Sequence, residues 1–459
     1  MKLLDIHTTN NNSIQYFIDG LAILDKILEL IDSAKESIYV EVFLFYDDET
    51  GRKLATRLIE KAEEGLDVRV LLSEKGSEFN KSQKLLEMFR KSKVKLIFTF
   101  PLPKLLKDIW NLLEVKETKD EKTGERRLHF HLDDQSNRKI SLKSLKIQNK
   151  IAKRCEKGKE RAEDSFWLRW KRKKILRSLT FYDHRKIVLV DKQRVFLGGM
   201  NFGNDYFLVE PCSPLGFFHD IGIRIEGDTV QDVFILYMQI WHLFNPDPTD
   251  IEFTVPAPLM AADRVEGVKI TTLSSFPKKF PNEIRQAYLE SIRKATKYAY
   301  LINLYLTDSE IIDELIAARN RGADVRFIST FLPTNKITSW FTRQLYKGYF
   351  YLIFYKKKLQ DHGILLYHYT KHNVHAKVAM TDNQWVTIGS SNLDYSSLRN
   401  AMEINVTLSD EQFIENLRKD LFEKDFTVAG PLNKKLNIFQ KIYYFICYCV
   451  YMISEKYFI

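Results

Sequence analysis

Two stretches of the chain carry the same order of apolar and polar positions. In the first, Ser37-Ile38-Tyr39-Val40-Glu41-Val42-Phe43-Leu44-Phe45 is rich in β-branched and aromatic residues, the pattern of a buried strand. Asp47 and Asp48 follow, of the type that starts a helix. Leu54, Leu58, Ile59 and Ala62 then recur at helical spacing, and Glu64-Gly65 turns the chain into a second apolar run, Asp67 to Leu71. The second stretch repeats the order. Tyr298 to Leu306 is the strand, Asp308 the helix start, and Ile311, Ile312, Leu315 and Ile316 the stripe. Arg321-Gly322 is the turn, and Ala323 to Ile328 the second strand. Strand, helix and strand with Gly at the helix end predict a parallel βαβ unit in each half.

A shared motif follows both units. His184-Arg185-Lys186-Ile187-Val188-Leu189-Val190-Asp191 and His375-Ala376-Lys377-Val378-Ala379-Met380-Thr381-Asp382 both read His-x-Lys-x4-Asp. Gly198 and Gly389 come seven residues after the motif Asp, and Asn201 and Asn392 three beyond those. Read as strands, each motif sets His and Lys on one face. Gly198-Gly199 and Gly389-Ser390 predict close backbone approach to a phosphate oxygen, with Gly199, Ser390 and the amides of Asn201 and Asn392 donating to it. Each half then holds part of a site, and joining them gathers two His, two Lys and two Asn around one phosphorus.

That set suits chemistry on a phosphodiester. One imidazole attacks phosphorus, the other protonates the leaving alkoxide, and the lysines neutralise the oxygens as charge builds. Neither motif has the carboxylate cluster that a magnesium site wants, so no metal or cofactor is expected. A nucleophilic His needs an acceptor on its second nitrogen. Asp220, 36 residues after His184, and Glu403, 28 after His375, precede apolar runs of their own halves and are the expected carboxylates. Asp191 and Asp382 are expected to be structural. His129, His131, His242, His362 and His368 are read as ordinary polar positions; His219 and His372 flank the motifs without an assigned role.

Composition adds a partner. The net charge of +10 is concentrated between Pro101 and Thr180, which carries 23 Lys+Arg against 12 Asp+Glu. Arg69 precedes His184 by 115 residues, whereas Arg326 precedes His375 by 49. The difference predicts a basic insertion at about 110–175, with Trp167 and Trp170 in its most basic part, suited to an anionic surface. The predicted boundaries are a first repeat at 1–250, a proline-rich linker from Pro246 to Pro258, a second repeat at 259–430 and an aromatic, apolar tail at 431–459. That tail is expected to pack on the body as a helix or to dip into a membrane interface. No run of 18 uncharged apolar residues and no signal peptide is seen, and four scattered cysteines suggest a reducing compartment.

These motifs resemble the phospholipase D superfamily, and within it bacterial cardiolipin synthases. The resemblance rests on His184 to Val188 with Phe196 to Asn201, on His375 to Val378 with Ile388 to Asp394, on Met402-Glu403-Ile404-Asn405, and on Asp220 followed by Arg224 to Gly227. It covers about residues 35–100 and 178–430. It implies an α/β fold of two repeats related by a pseudo-twofold axis, each a mixed sheet flanked by helices, with the site at their junction. It also implies a ping-pong transfer in which His184 is the nucleophile and His375 the acid/base. Two phosphatidylglycerols would give cardiolipin and glycerol on the cytoplasmic side of a membrane. Hydrolysis to phosphatidic acid would use the same residues. A nuclease would use the basic insertion, though the tail argues against nucleic acid, and intact motifs argue against a non-catalytic lipid binder. The oligomeric state is not encoded in any of these features.

Overall fold

The computed structural model describes residues 7–73, 82–99, 181–207, 217–245, 267–277, 282–331, 340–431 and 435–457, with the strands Glu114–Lys119, Arg126–His131 and Glu252–Val255. The βαβ units form where the apolar runs place them. Ser37–Val42 and Asp67–Ser73 pair in parallel around helix Glu49–Glu63, and Tyr298–Ile302 and Asp324–Ser329 around helix Ser309–Asn320. The Asp48 carboxylate accepts from Gly51 N, and Asp308 from Glu310 N and Ile311 N, covering N–H groups that the helix starts leave free. Gly65 and Gly322, at φ of 101° and 100°, make the turn out of each helix in a region that strains other residues.

Both first strands are shorter than their apolar runs. They end at Val42 and Ile302, and Phe45 and Leu306 keep only single bridges to Phe202 and Leu393. The reason lies in the neighbouring strands, Ile187–Val190 and Val378–Thr381. Their first residues lie opposite Glu41 and Ile302, so the ladder stops there. The motifs are therefore strands only from Ile187 and Val378 onward, and His184, Lys186, His375 and Lys377 lie just before the pleat.

One large mixed sheet runs through both halves. From its middle outward the first half runs His7–Ile18, Ile221–Gly227, Arg194–Gly198, Ile187–Val190, Ser37–Val42, Asp67–Ser73 and Lys95–Thr99. The second half runs Val268–Ser275, Ala401–Leu408, Trp385–Gly389, Val378–Thr381, Tyr298–Ile302, Asp324–Ser329 and Leu365–His368, with Gly430–Pro431 at its edge. The orders match strand for strand, as a pseudo-twofold axis requires. His7–Ile18 and Val268–Ser275 pair antiparallel across the axis.

Alternation along the strands feeds two layers of helices. Val188 and Val190 join Gly20–Asp32, Glu49–Glu63 and Gln83–Arg90 in a core belonging to the first half. Ala299 and Leu301 join Glu283–Lys294, Ser309–Asn320 and Trp340–Tyr351 in a core belonging to the second. Ile187 and Leu189 face the other way, with Val378 and Met380, into a core shared by both halves. Helix Thr229–Phe244 and the helical segment Glu411 to Val428 cover that shared core.

Within the linker expected from Pro246 to Pro258, Glu252–Val255 is a strand paired with Arg126–His131, which pairs in turn with Glu114–Lys119. An extended backbone there meets the unpaired edge of that hairpin, so part of the segment is ordered by pairing. The rest of the linker and of the basic insertion, with Trp167 and Trp170, lies outside the described residues.

The motif aspartates tie the sheet to the unit before it. Asp191 and Lys192, and Asp382 and Asn383, all have φ between 52° and 56°. Gln193 N donates to Val190 O and Gln384 N to Thr381 O, making two-residue turns of the type that Asp and Asn tolerate. Asp191 accepts from the N–H groups of Lys35, Glu36 and Ser37, and Asp382 from those of Thr296, Lys297 and Tyr298. Burial would raise both carboxyls, but these donors hold them below their ordinary range. Asp191→Ala or Asp382→Ala should each cost about 2 kcal/mol, seen as a lower thermal midpoint at neutral pH. Because the folded values are depressed, this contribution is complete above the ordinary carboxylate range and fades as pH falls below it. A midpoint unchanged by either substitution would contradict the role.

Candidate active site

The two halves exchange partners at the site. The sequence spacing pairs each His with the carboxylate of its own half, and the structure does the opposite. His184 Nδ1 lies 2.9 and 3.1 Å from the Glu403 carboxylate oxygens, and His375 Nδ1 lies 2.7 Å from Asp220 Oδ2. Backbone pairing sets up the exchange. Tyr182–Asp183 runs parallel to Ala401-Met402, and His184 N donates to Met402 O. Phe218–His219 runs parallel to Asn373–Val374, and His375 N donates to His219 O. Each His is thus delivered beside the residue preceding the other half's carboxylate.

The lysines come with them. Lys186 Nζ donates to His184 O at 2.6 Å, and Lys377 Nζ donates to His375 O. Phe43 and Tyr182 stand edge-on to His184, while Tyr206 and Phe218 pack on His375. The site is almost closed: His184 and His375 are each 6% exposed, and Lys377, Asp220 and Glu403 are at 0%.

Burial dominates the electrostatics. It pushes the His184 imidazole well below its ordinary value, helped by Lys186 and Lys377. It pushes His375 to about 3, with Lys377 adding to the shift. Both rings are therefore neutral, and with Nδ1–H given to a carboxylate, Nε2 carries the lone pair. Burial also lowers Lys186 strongly and Lys377 to about 8. The carboxylates differ. Burial raises Glu403 to about 8, whereas at Asp220 the nearby His375 and Lys377 outweigh burial and hold the carboxyl below its ordinary value. Asp394, buried nearby, is raised to about 6 by burial. Among the described residues no group of three His, Cys, Asp or Glu is arranged to hold a metal ion.

A family model described as cardiolipin synthase, PLD-like domain, matches residues 27–108 and 288–425, one βαβ unit in each half and the second motif. The chain belongs to the phospholipase D superfamily. It is an enzyme of the phosphatidyltransferase type. Cardiolipin synthase 1 of Staphylococcus epidermidis is 24% identical over 433 residues, covering 94% of this chain and 71% of that protein. Cardiolipin synthase 2 of Staphylococcus aureus is 24% identical over 430 residues, covering 93% and 69%. The crystal structure of phosphatidylserine synthase from Haemophilus influenzae superposes with a TM-score of 0.65 at 12% identity, over 99% of this chain and 98% of that one, and shares its fold.

In this phospholipase D member several residues expected on the phosphate are engaged elsewhere. Ser390 gives its hydroxyl to Glu403 Oε2 at 2.5 Å and accepts from Ile404 N, so it holds the carboxylate instead of an oxyanion. Asn201 accepts from Leu44 N and donates to Tyr206 OH, bracing the ring that packs on His375. A Cβ on Gly199 would sit 2.5 Å from Asp220 Oδ1, so this glycine makes room for the carboxylate. Asn392 differs, because its buried Oδ1 has no hydrogen-bond partner among the described residues. The sequence reading missed Phe43, Tyr182, Tyr206 and Phe218. Tyr182 stands two residues before His184 and Phe218 two before Asp220, so the signal was an aromatic repeated at one offset from a catalytic candidate.

Two tests follow from the exchange and from Lys377. In Glu403→Gln the Nδ1 proton resonance of His184 should move most, and in Asp220→Asn that of His375; the reverse assignment would contradict the crossing. The value of kcat/KM should fall above about pH 8 as Lys377 loses its proton within the cluster it forms with Glu403. Lys377→Arg should slow the enzyme and move that limb to higher pH, and a limb that stays in place would remove Lys377 from it.

Proposed function

We propose that the enzyme condenses two phosphatidylglycerols into cardiolipin and glycerol. The observation that carries this reading is the buried pair of neutral imidazoles, each anchored by the other half's carboxylate, with both lysines beside them. In the first step His184 Nε2 attacks phosphorus, a P–N bond forms, and the P–O bond to glycerol breaks. His375, which takes up one proton from solvent as the substrate's negative charge enters, gives that proton to the glycerol oxygen. In the second step the hydroxyl of another phosphatidylglycerol gives its proton to His375 and attacks phosphorus, and the P–N bond breaks. Lys186 and Lys377 offset charge on the phosphoryl oxygens in both steps.

The unequal carboxylates support the division of labour. An ionised Asp220 favours an imidazolium at His375, whereas a Glu403 raised by burial leaves His184 neutral and nucleophilic. Closure supports an alcohol over water as acceptor, since a site this dry disfavours hydrolysis. The named relatives are cardiolipin synthases. The protein would act at the cytoplasmic surface of a membrane on anionic phospholipid, with nucleic acid not a substrate. The boundaries 1–250, 259–430 and 431–459 describe the two repeats and the tail in this reading.

Incubation with phosphatidylglycerol vesicles, followed by mass spectrometry, should give cardiolipin and free glycerol, and EDTA should leave the rate unchanged. His184→Ala and His375→Ala should each lower turnover by roughly 10³-fold or more. Phosphatidic acid without cardiolipin would make the enzyme a hydrolase, and full activity in either variant would overturn the mechanism.

A further inference from the structure

The last helix, Ile438–Tyr457, is apolar on both sides, and only one side is covered. Tyr444, Cys447, Tyr448 and Tyr451 are buried against helix Trp340–Tyr351. Gly348 marks their closest approach, where an added Cβ would lie 2.5 Å from Cys447 O. The helix is thus firmly seated. Its other side exposes Phe439, Ile442, Ile446, Val450 and Ile453, at 40% to 79%, spaced three and four residues apart in one stripe. Of twelve large apolar side chains exposed among the described residues, nine lie on this helix. A concentration of that kind marks a contact surface.

Three features choose the partner. From Ile438 to Ile453 the single charged residue is Lys441, so the stripe is uninterrupted. Lysines rim the aromatic layer beneath it: Lys347 lies 4.8 Å from the Tyr443 ring, Lys356 4.7 Å from Tyr448 and Lys441 5.2 Å from Tyr355. Two copies meeting here would bring these rims, in a chain of net charge +10, against each other, whereas an anionic head-group layer complements them. The site is also near. Tyr451 packs 6.1 Å from Tyr349, whose hydroxyl accepts from Leu306 N, and Leu306 bridges Leu393 beside Asn392. No helix among the described residues is long and apolar enough to cross a membrane. A helix lying in the interface plane meets all of these observations.

We propose that the exposed face of Ile438–Tyr457 inserts into the interface of an anionic phospholipid bilayer and holds the site's rim against it. This rests on the phospholipid reading of the site. The test uses the full chain and vesicles of phosphatidylglycerol and phosphatidylcholine in about 0.5 M salt, where attraction between separated charges is screened within a few ångströms. Wild-type protein should sediment with the vesicles, and the double variant Ile442→Glu/Ile446→Glu should bind at least tenfold less. Ile446→Trp should bind as wild type, with emission shifted to the blue on vesicles. Turnover of short-chain phosphatidylglycerol below its micelle concentration should be unchanged in the double variant. Vesicle binding equal to wild type in the double variant overturns the proposal. So does a variant that keeps vesicle binding but elutes as a smaller particle, which would assign the face to a second copy. A wild type that turns over neither lipid form, while the double variant still loses vesicles, would sink the site reading and leave this one standing.

Discussion

Two imidazole–carboxylate pairs cross the junction between the repeats, and the centre of the fold is arranged to make them. His184 meets Glu403 across 219 residues of sequence, and His375 meets Asp220 across 155. Each contact is prepared by two-residue parallel ladders that also bridge the halves. Neither repeat can complete a site alone, because its own carboxylate is turned toward the other's ring. The shared core beneath Thr229–Phe244, and the antiparallel pairing of His7–Ile18 with Val268–Ser275, supply the rigidity that so exact a meeting needs.

The cost of this arrangement is desolvation. Two lysines and two carboxylates sit in a site with almost no exposure, and each alone would be several kcal/mol worse off there than in water. Mutual attraction and hydrogen bonds to the His184 and His375 carbonyls offset part of that. What remains is visible as lowered lysines and a raised Glu403. A site strained in this way gains most when a phosphodiester enters and its negative charge meets the ammonium groups. The same dryness that perturbs the groups keeps water from competing with an alcohol.

Much of this was legible in the residues, and the failures have one cause. The βαβ units could be read because their signals are local: an apolar run, an Asp at the helix start, a Gly at its end. The motif His and Lys could be read because the same types recur at the same spacing. Strand ends could not, since Val42 and Ile302 stop where a partner begins more than a hundred or several tens of residues away. The partner exchange was hidden for the same reason. Asp220 and Glu403 were recognisable by type, but spacing favoured the nearer His. Ser390, Asn201 and Gly199 have the chemistry to meet a phosphate, and only the packed interior shows that Glu403, Leu44, Tyr206 and Asp220 occupy them first.

The central claim is that one crossed site forms a covalent bond through a single imidazole. Quenching enzyme mixed with chain-labelled phosphatidylglycerol in denaturing detergent at neutral to mildly alkaline pH, where a phosphorus–nitrogen bond survives, followed by peptide mapping under the same conditions, tests it most directly. The account predicts an acid-labile phosphatidyl group on the peptide carrying His184, absent in His184→Ala and formed much more slowly in His375→Ala, which lacks the acid for the departing glycerol. Label on His375, or turnover with no covalent lipid at any time, would contradict it.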